Sequence, residues 1–236
     1  MFERPHHQAI ATALRALDHD LFRRAECWFG GGTAIVLELG EYRESVDIDF
    51  LCASEGGYRE LRILTFGGRF EPLARPGSPV RALRELRTDQ YGLRTQIAVG
   101  ETVIKFEIVK EGRIALSGRD HPQLGIPTLT REDMYCEKLL VNADRFADKA
   151  FMSRDIIDLT MMISRWGPIS EAAWEKARRA YGTTIDRAYE MAVALIRRRD
   201  WLQACMKKMA MAPALEEEIL AVHGGALEPE EDWFGH

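Results

Sequence analysis

Phe29-Gly30-Gly31-Gly32-Thr33, followed after thirteen residues by Asp47-Ile48-Asp49-Phe50, is the stretch that decides the reading of this 236-residue chain. The apolar segment Cys27-Trp28-Phe29 runs into a glycine turn, and residues 34–39 resume a helical pattern before Gly40 stops it. That order reads as strand, turn, helix. Residues 45–51 then alternate acid with apolar residue, the pattern of a strand with both aspartates on one face. Carboxylates at i and i+2 on a strand lie about 7 Å apart along the backbone, a spacing suited to one or two oxygen-liking divalent ions. A glycine turn that opens a helix offers N–H groups and a hydroxyl to a polyphosphate. Together they predict a Mg-nucleotide site, in which metal neutralises a triphosphate, orients its α-phosphorus and stabilises departing pyrophosphate.

A third acid commonly completes such a site, and Glu107 is the candidate. Residues 91–99, the Gly100-Glu101 turn and residues 102–110 read as a β-hairpin. In its second strand Thr102, Ile104, Phe106 and Ile108 share one face, while Val103, Lys105, Glu107 and Val109 share the other. The Lys105/Glu107 pair is read either as part of the site or as a solvated surface pair.

Residues 5–26 carry helical spacing (Ile10, Leu14, Leu17, Leu21), residues 58–66 predict a short helix, and residues 113–116 a further strand. After Pro127 the pattern is helical throughout. Thr130 with Asp133 is a capping-box variant opening a helix toward Asn142, Ser153 is a cap for residues 154–165, and Ser170 for a third helix. Further helices are expected over 186–211 and 215–222. The fold class is α+β: a small mixed β-sheet domain over residues 1–120, then a helical domain over 121–236 with an acidic C-terminal tail, and a cleft between them.

The composition, 46% hydrophobic and 29% charged with nine prolines, is that of a soluble globular protein and excludes a disulfide scaffold or a disordered chain as the overall description. Cys27, Cys52, Cys136 and Cys205 form no Cys-x-x-Cys pair and the six histidines no His-x-x-x-His, so a reducing cytosol and no zinc site are expected. No apolar run approaches the roughly 20 residues of a membrane span, and the first residues lack the apolar core of a signal peptide. A cytoplasmic location follows as the expectation.

The net charge of −5 is unevenly placed. Residues 212–236 hold seven acids and no Lys or Arg, so the other 211 residues sum to +2. Within them Arg197-Arg198-Arg199 and Lys207-Lys208, flanked by Arg178-Arg179 and Arg187, form a basic cluster, read first as a solvated helix face and second as a phosphate-backbone footprint. The acidic end is read first as a solvating tail and second as a segment that folds over that cluster. His6-His7 is read as an exposed helix end, and Met161, Met162, Met206, Met209 and Met211 as core or interface filling.

Gly-Gly-Thr followed by Arg43-x-Ser45-x-Asp47-x-Asp49-Phe50 resembles the signature of the DNA polymerase β-type nucleotidyltransferase superfamily. Cys136-Glu137-Lys138-Leu139-Leu140, with Arg145 after it, and Ser153-Arg154-Asp155-Ile156-Ile157-Asp158-Leu159 narrow the resemblance to the AbiEii/AbiGii toxin family, which includes the MenT-like toxins. It spans residues 28–159, with 56–127 matching in pattern alone. Members often carry Gly-Ser where this chain has Gly32-Thr33, and threonine keeps the hydroxyl.

The resemblance implies a toxin that transfers a nucleoside monophosphate from an NTP to the 3′ end of tRNA and is restrained by an antitoxin. It places Asp47, Asp49, Lys138 and Asp155 in catalysis and Asp47, Asp49 and Glu107 on magnesium. Nucleotide contacts are expected from Gly31, Gly32, Thr33, Arg43, Ser45, Lys138 and Arg154. In that scheme Lys138 gives phosphate a metal-independent charge, while Asp155 takes a proton or holds metal and Arg154 pairs with phosphate or an acid. Both also have plain structural readings, as a solvated lysine and as helix-dipole partners. A small-molecule or protein side-chain acceptor, or a non-catalytic nucleotide-binding protein of the same fold, are the alternatives.

Overall fold

The computed structural model describes residues 2–227. Glu228, Glu230, Glu231 and Asp232 of the acidic end therefore lie outside the described residues. The chain divides into two compact units: one holds the residues up to Glu41 and Ser45–Met134, the other Tyr42–Glu44 and the residues from Tyr135 on.

The first unit is built on one mixed sheet of β1 (Cys27–Gly30), β2 (Asp47–Cys52), β3 (Val80–Ala82), β4 (Arg87–Thr88), β5 (Gly92–Val99), β6 (Thr102–Lys110), β7 (Gly118–Asp120) and β8 (Pro127–Leu129). The strand order is β3-β5-β6-β2-β1-β8-β7, with β4 paired to β5. β2–β6 and β1–β8 are parallel and the other pairs antiparallel. Ile48, Phe50, Ile104, Phe106 and Ile108 point to the buried face, as the alternation requires. There Phe50 meets Phe22, Phe29 and Phe106 with ring centroids 4.4 to 5.9 Å apart, and Phe70 stands edge-on to Phe106. Cys27 and Cys52 are register partners on β1 and β2, both buried free thiols.

α1 (Pro5–Ala16), α2 (His19–Arg24), α3 (Gly31–Glu38) and α4 (Glu55–Leu64) complete this unit. The helix expected over 5–26 breaks at Leu17, which bridges Ala74, and Asp18 caps α2 by accepting the Leu21 N–H at 3.0 Å. Residues 113–116 form no strand: the Arg113 N–H and guanidinium turn back onto Glu111. The pairing falls instead to β7 and β8. Because β8 joins β1 in parallel and Asp133 accepts the Ser117 N–H at 2.6 Å, this unit runs past residue 120 to Met134.

In the second unit α5 (Arg131–Arg145, from Tyr135 on), α6 (Arg154–Trp166), α7 (Glu171–Tyr181), α8 (Thr184–Ile196), α9 (Arg199–Lys208) and α10 (Leu215–Val222) pack around a core that includes all five of the methionines named above. The helix expected over 186–211 is two, parted at Arg197-Arg198. Thr130 and Ser170 cap as read, donated to by Asp133 N–H and Ala173 N–H. Ser153 does not: it and Met152 both hold positive φ, and its hydroxyl accepts the Trp201 indole N–H at 2.8 Å. No helix among the described residues is long and apolar enough to cross a membrane.

Candidate functional site

In the first unit β1 ends at Gly30, directly opposite Asp49 on β2. Gly31 then takes φ +67, and a Cβ there would lie 2.8 Å from Asp49 Oδ2. Only glycine fits both conditions. Asp47 and Asp49 are half-buried on one face of β2, with Ile48 and Phe50 buried on the other. Neighbouring strands extend each position into a row: Asp49 lies beside Glu107, which faces Arg94, and Asp47 lies beside Lys105.

Glu107 is thus next to the aspartate pair, as its strand position suggested, but its oxygens are engaged. Arg94 Nε binds Oε1, and Lys105 Nζ is 2.8 Å from Oε2. Burial works against ionisation of Glu107, and the Lys105 and Arg94 hydrogen bonds outweigh it, holding the carboxyl below the usual glutamate value. Among the described residues no three His, Cys, Asp or Glu side chains are gathered as a metal cluster. The donor set that fits a hard divalent cation is the Asp47/Asp49 pair; Glu107 could join it after exchanging Lys105.

Thr33 and Ser45, read as nucleotide contacts, brace the aspartate strand instead. The Thr33 hydroxyl is buried and donates to the Asp47 carbonyl at 2.6 Å, so the 2.8 Å contact with Ser45 Oγ is donated by Ser45. Ser45 N–H in turn donates to His7 Nε2 at 3.1 Å, and His7 Nδ1 is 2.7 Å from Glu41 Oε1. These partners require the neutral Nδ1–H tautomer. His7 is fully buried, which corrects its reading as an exposed helix end. Burial depresses its pKa, against the raising effect of Glu41. Its place at i, i+3, i+4 and i+7 with Ile10, Ala11 and Leu14 was the available signal.

In the second unit Asp158, part of the Ser153–Leu159 motif but given no role of its own there, is the hub of a buried ion network. Its Oδ1 accepts from Tyr42 OH at 2.5 Å and Arg43 Nε at 2.7 Å, and its Oδ2 from Arg43 Nη2 at 2.8 Å and Lys138 Nζ at 2.7 Å. Arg43 Nη1 donates to the Glu44 carbonyl. Arg43 is 1% exposed and spent within the fold, so the expectation that it contacts nucleotide is corrected. Lys138 also binds Asp155 Oδ1 at 2.8 Å, and Arg145 grips both Asp155 oxygens at 2.7 and 3.0 Å. Burial opposes charge on Asp155, yet Lys138 and Arg145 bring its pKa down to about 2. A carboxylate so held is a poor proton acceptor and a good anchor for Lys138. Arg154 is half-buried and makes no hydrogen bond or ion pair among the described residues. The signal for Asp158 was an acid buried in the apolar run Ile156-Ile157-Asp158-Leu159.

The C-terminal basic cluster is neutralised in part. Arg178 pairs with Asp186 and Glu171, Arg199 with Glu216 and Glu217, and Arg197 donates to the Gly225 carbonyl. Of the acidic end, Glu216 and Glu217 on α10 meet Arg199 of the cluster and Glu218 meets Arg165.

The site is thus a mixed sheet with a strand–glycine-turn–helix beside an Asp-x-Asp strand. Residues 13–229 match the family model described as Nucleotidyl transferase AbiEii toxin, Type IV TA system, and the chain belongs to that family. Among solved structures it is similar to a candidate nucleotidyltransferase from H. pylori (17% identity, TM-score 0.46, 92% of this chain and 89% of that one) and to JHP933 from Helicobacter pylori (15%, 0.42, 94% and 100%). An antigenic nucleotidyltransferase-like protein from Paracoccidioides brasiliensis is also similar (11%, 0.35, 92% and 94%). No curated protein matches the chain.

Proposed function

We propose that this AbiEii-family chain transfers a nucleoside monophosphate from an NTP to an acceptor hydroxyl at the 3′ end of tRNA, releasing pyrophosphate, in the cytoplasm and under restraint by a cognate antitoxin. The observation that carries the reading is the Asp47/Asp49 pair, on one face of β2 and closed over by Gly31 at a separation only a glycine allows. Asp47 and Asp49 would hold magnesium, with Glu107 as a further ligand. Bound there, magnesium supplies charge neutralisation for the triphosphate and the leaving pyrophosphate. The acceptor oxygen forms a bond to the α-phosphorus, the bond from that phosphorus to the bridging oxygen breaks, and the hydroxyl proton passes through a carboxylate of the pair to solvent. The backbone of Gly31 and Gly32 at the start of α3 faces the phosphates. Thr33 and Ser45 act by holding β2 in place. Lys138 and Asp155 have a supporting role: the network around Asp158 orders the segment bearing Arg43, from which the chain leads into β2.

The test is incubation of the protein with Mg²⁺, each of the four α-labelled NTPs in turn and total tRNA, beside a D47A/D49A control. Label on tRNA that the control lacks supports the reading and names the nucleotide. Label on the protein itself moves the acceptor to a side chain. Label nowhere removes the tRNA reaction in favour of a small-molecule acceptor or binding without turnover.

A further inference from the structure

The first unit carries a body of unpaired positive charge of its own. Residues 58–94 contain eight arginines, no lysine and four acids. Elsewhere arginines are commonly tied to carboxylates, as Arg23, Arg43, Arg119, Arg145, Arg178 and Arg199 are. Arg59, Arg62, Arg69 and Arg87 are exposed and have no ion-pair partner among the described residues.

Two of them converge on one concavity. Arg59, Arg62 and Ile63 on α4 line a groove of about 410 Å³ with Phe66, Leu86 and Thr88, floored by Gly67 and Gly68. Arg59 and Arg62 also line an adjoining groove of about 360 Å³ with Tyr58, Gln90 and Lys110. Its acid, Glu55, is paired with Lys110 at 2.7 Å, so it does not neutralise the arginines. Phe66 is 83% exposed and Ile63 67%, a large apolar pair lining the same groove as the Arg59 and Arg62 side chains. Arg69 and Arg87 adjoin lining residues and extend the charge beyond the groove.

We infer that this α4/β4 surface docks the single-stranded end of an RNA, with phosphates on Arg59, Arg62, Arg69 and Arg87 and a base stacked on Phe66. The inference rests on the RNA-acceptor reading above and names the surface that serves it. Unpaired arginines interleaved with an exposed aromatic are what a charged backbone with π-faced bases requires. A protein helix with its side chains is about 10–12 Å across and would not enter grooves of this size, whereas one or two nucleotides would.

The test is fluorescence anisotropy of the full chain with a labelled single-stranded RNA ending in CCA, as a function of salt. We expect R59E/R62E to weaken binding by about tenfold or more and to flatten the salt slope by roughly 0.7 for each phosphate that the variant no longer neutralises. F66A should weaken it by about tenfold, and R198E/K208E by less than twofold. Thermal melts showing the variants folded accompany the titrations. Binding unchanged by R59E/R62E and F66A overturns the surface, and if tRNA labelling persists the proposed reaction still stands. Displacement of the RNA by polyglutamate at equal charge, with F66A neutral, also overturns it, in favour of an acidic protein partner. RNA binding abolished in these variants, in a protein that labels no tRNA, upholds the surface and removes the reaction.

Discussion

A Cβ on Gly31 would sit 2.8 Å from Asp49 Oδ2 and 3.1 Å from Asp49 Cβ, so the turn after β1 and the carboxylate on β2 exclude any side chain between them. The same residue holds φ +67. Both facts act on Gly31→Ala in the same direction: about 1–2 kcal/mol of backbone strain, together with displacement of Asp49. We expect the variant to fold, with circular dichroism like that of the parent, and to lose nucleotide transfer by about tenfold or more. Unchanged transfer would show that the position of Asp49 is not critical.

Removing either aspartate tests the metal directly. Mg²⁺ should raise the melting temperature of the parent in a concentration-dependent way, since a ligand that binds the folded state stabilises it. Asp47→Asn and Asp49→Asn should abolish that shift and reduce transfer by about 100-fold or more. Glu107→Gln should keep part of both, because its oxygens are already engaged by Arg94 and Lys105. Equal Mg²⁺ shifts in parent and aspartate variants would place the ion elsewhere.

The buried network makes an asymmetric prediction about stability. Asp158→Asn leaves Arg43, 1% exposed, without its bidentate partner and should cost about 3–5 kcal/mol in denaturant melts. Lys138→Met should cost less, since Asp155 keeps Arg145 and Asp158 keeps Arg43. The reverse order of costs would contradict the geometry.

Asp155 and His7 are two of several groups with depressed pKa values, beside Asp158, His19, His121 and His223, and each withdraws stability on acidification. Asp155 is held at about 2, below the usual aspartate value of 3.8, so its contribution is present above pH 4 and disappears as pH falls from there toward 2. His7 is buried neutral with a pKa lowered from 6.5, so the unfolded chain binds its proton first and stability declines as pH drops below that value. Protonation would set an Nε2–H against the Ser45 N–H. His7→Phe should lower stability at pH 8 by about 1–3 kcal/mol and flatten the slope between pH 6.5 and 5.5. A variant melting curve with the parent's slope in that window would assign the slope to another group.

The local devices of the fold were legible in the sequence because each depends on neighbours in the chain. The glycine turn, the Asp47/Asp49 alternation, the hairpin over 91–110 and the caps at Thr130 and Ser170 follow from backbone conformation and side-chain period alone. So did the family, carried by motifs within short windows.

Where charged side chains find their partners depends instead on the folded chain. Arg43 read as a phosphate ligand because a lone arginine beside an Asp-x-Asp strand carries no mark of the aspartate 115 positions away that neutralises it. His7 read as exposed because Glu41 and Ser45, which make it buriable, come from another element. Arg199 reads as part of a basic surface, but α10 brings Glu216 and Glu217 to it, while Arg59 and Arg62, less conspicuous in the sequence, have no ion-pair partner among the described residues. A charge is a local property of the chain, but its neutralisation depends on distance and burial, and both are set only when the chain has folded.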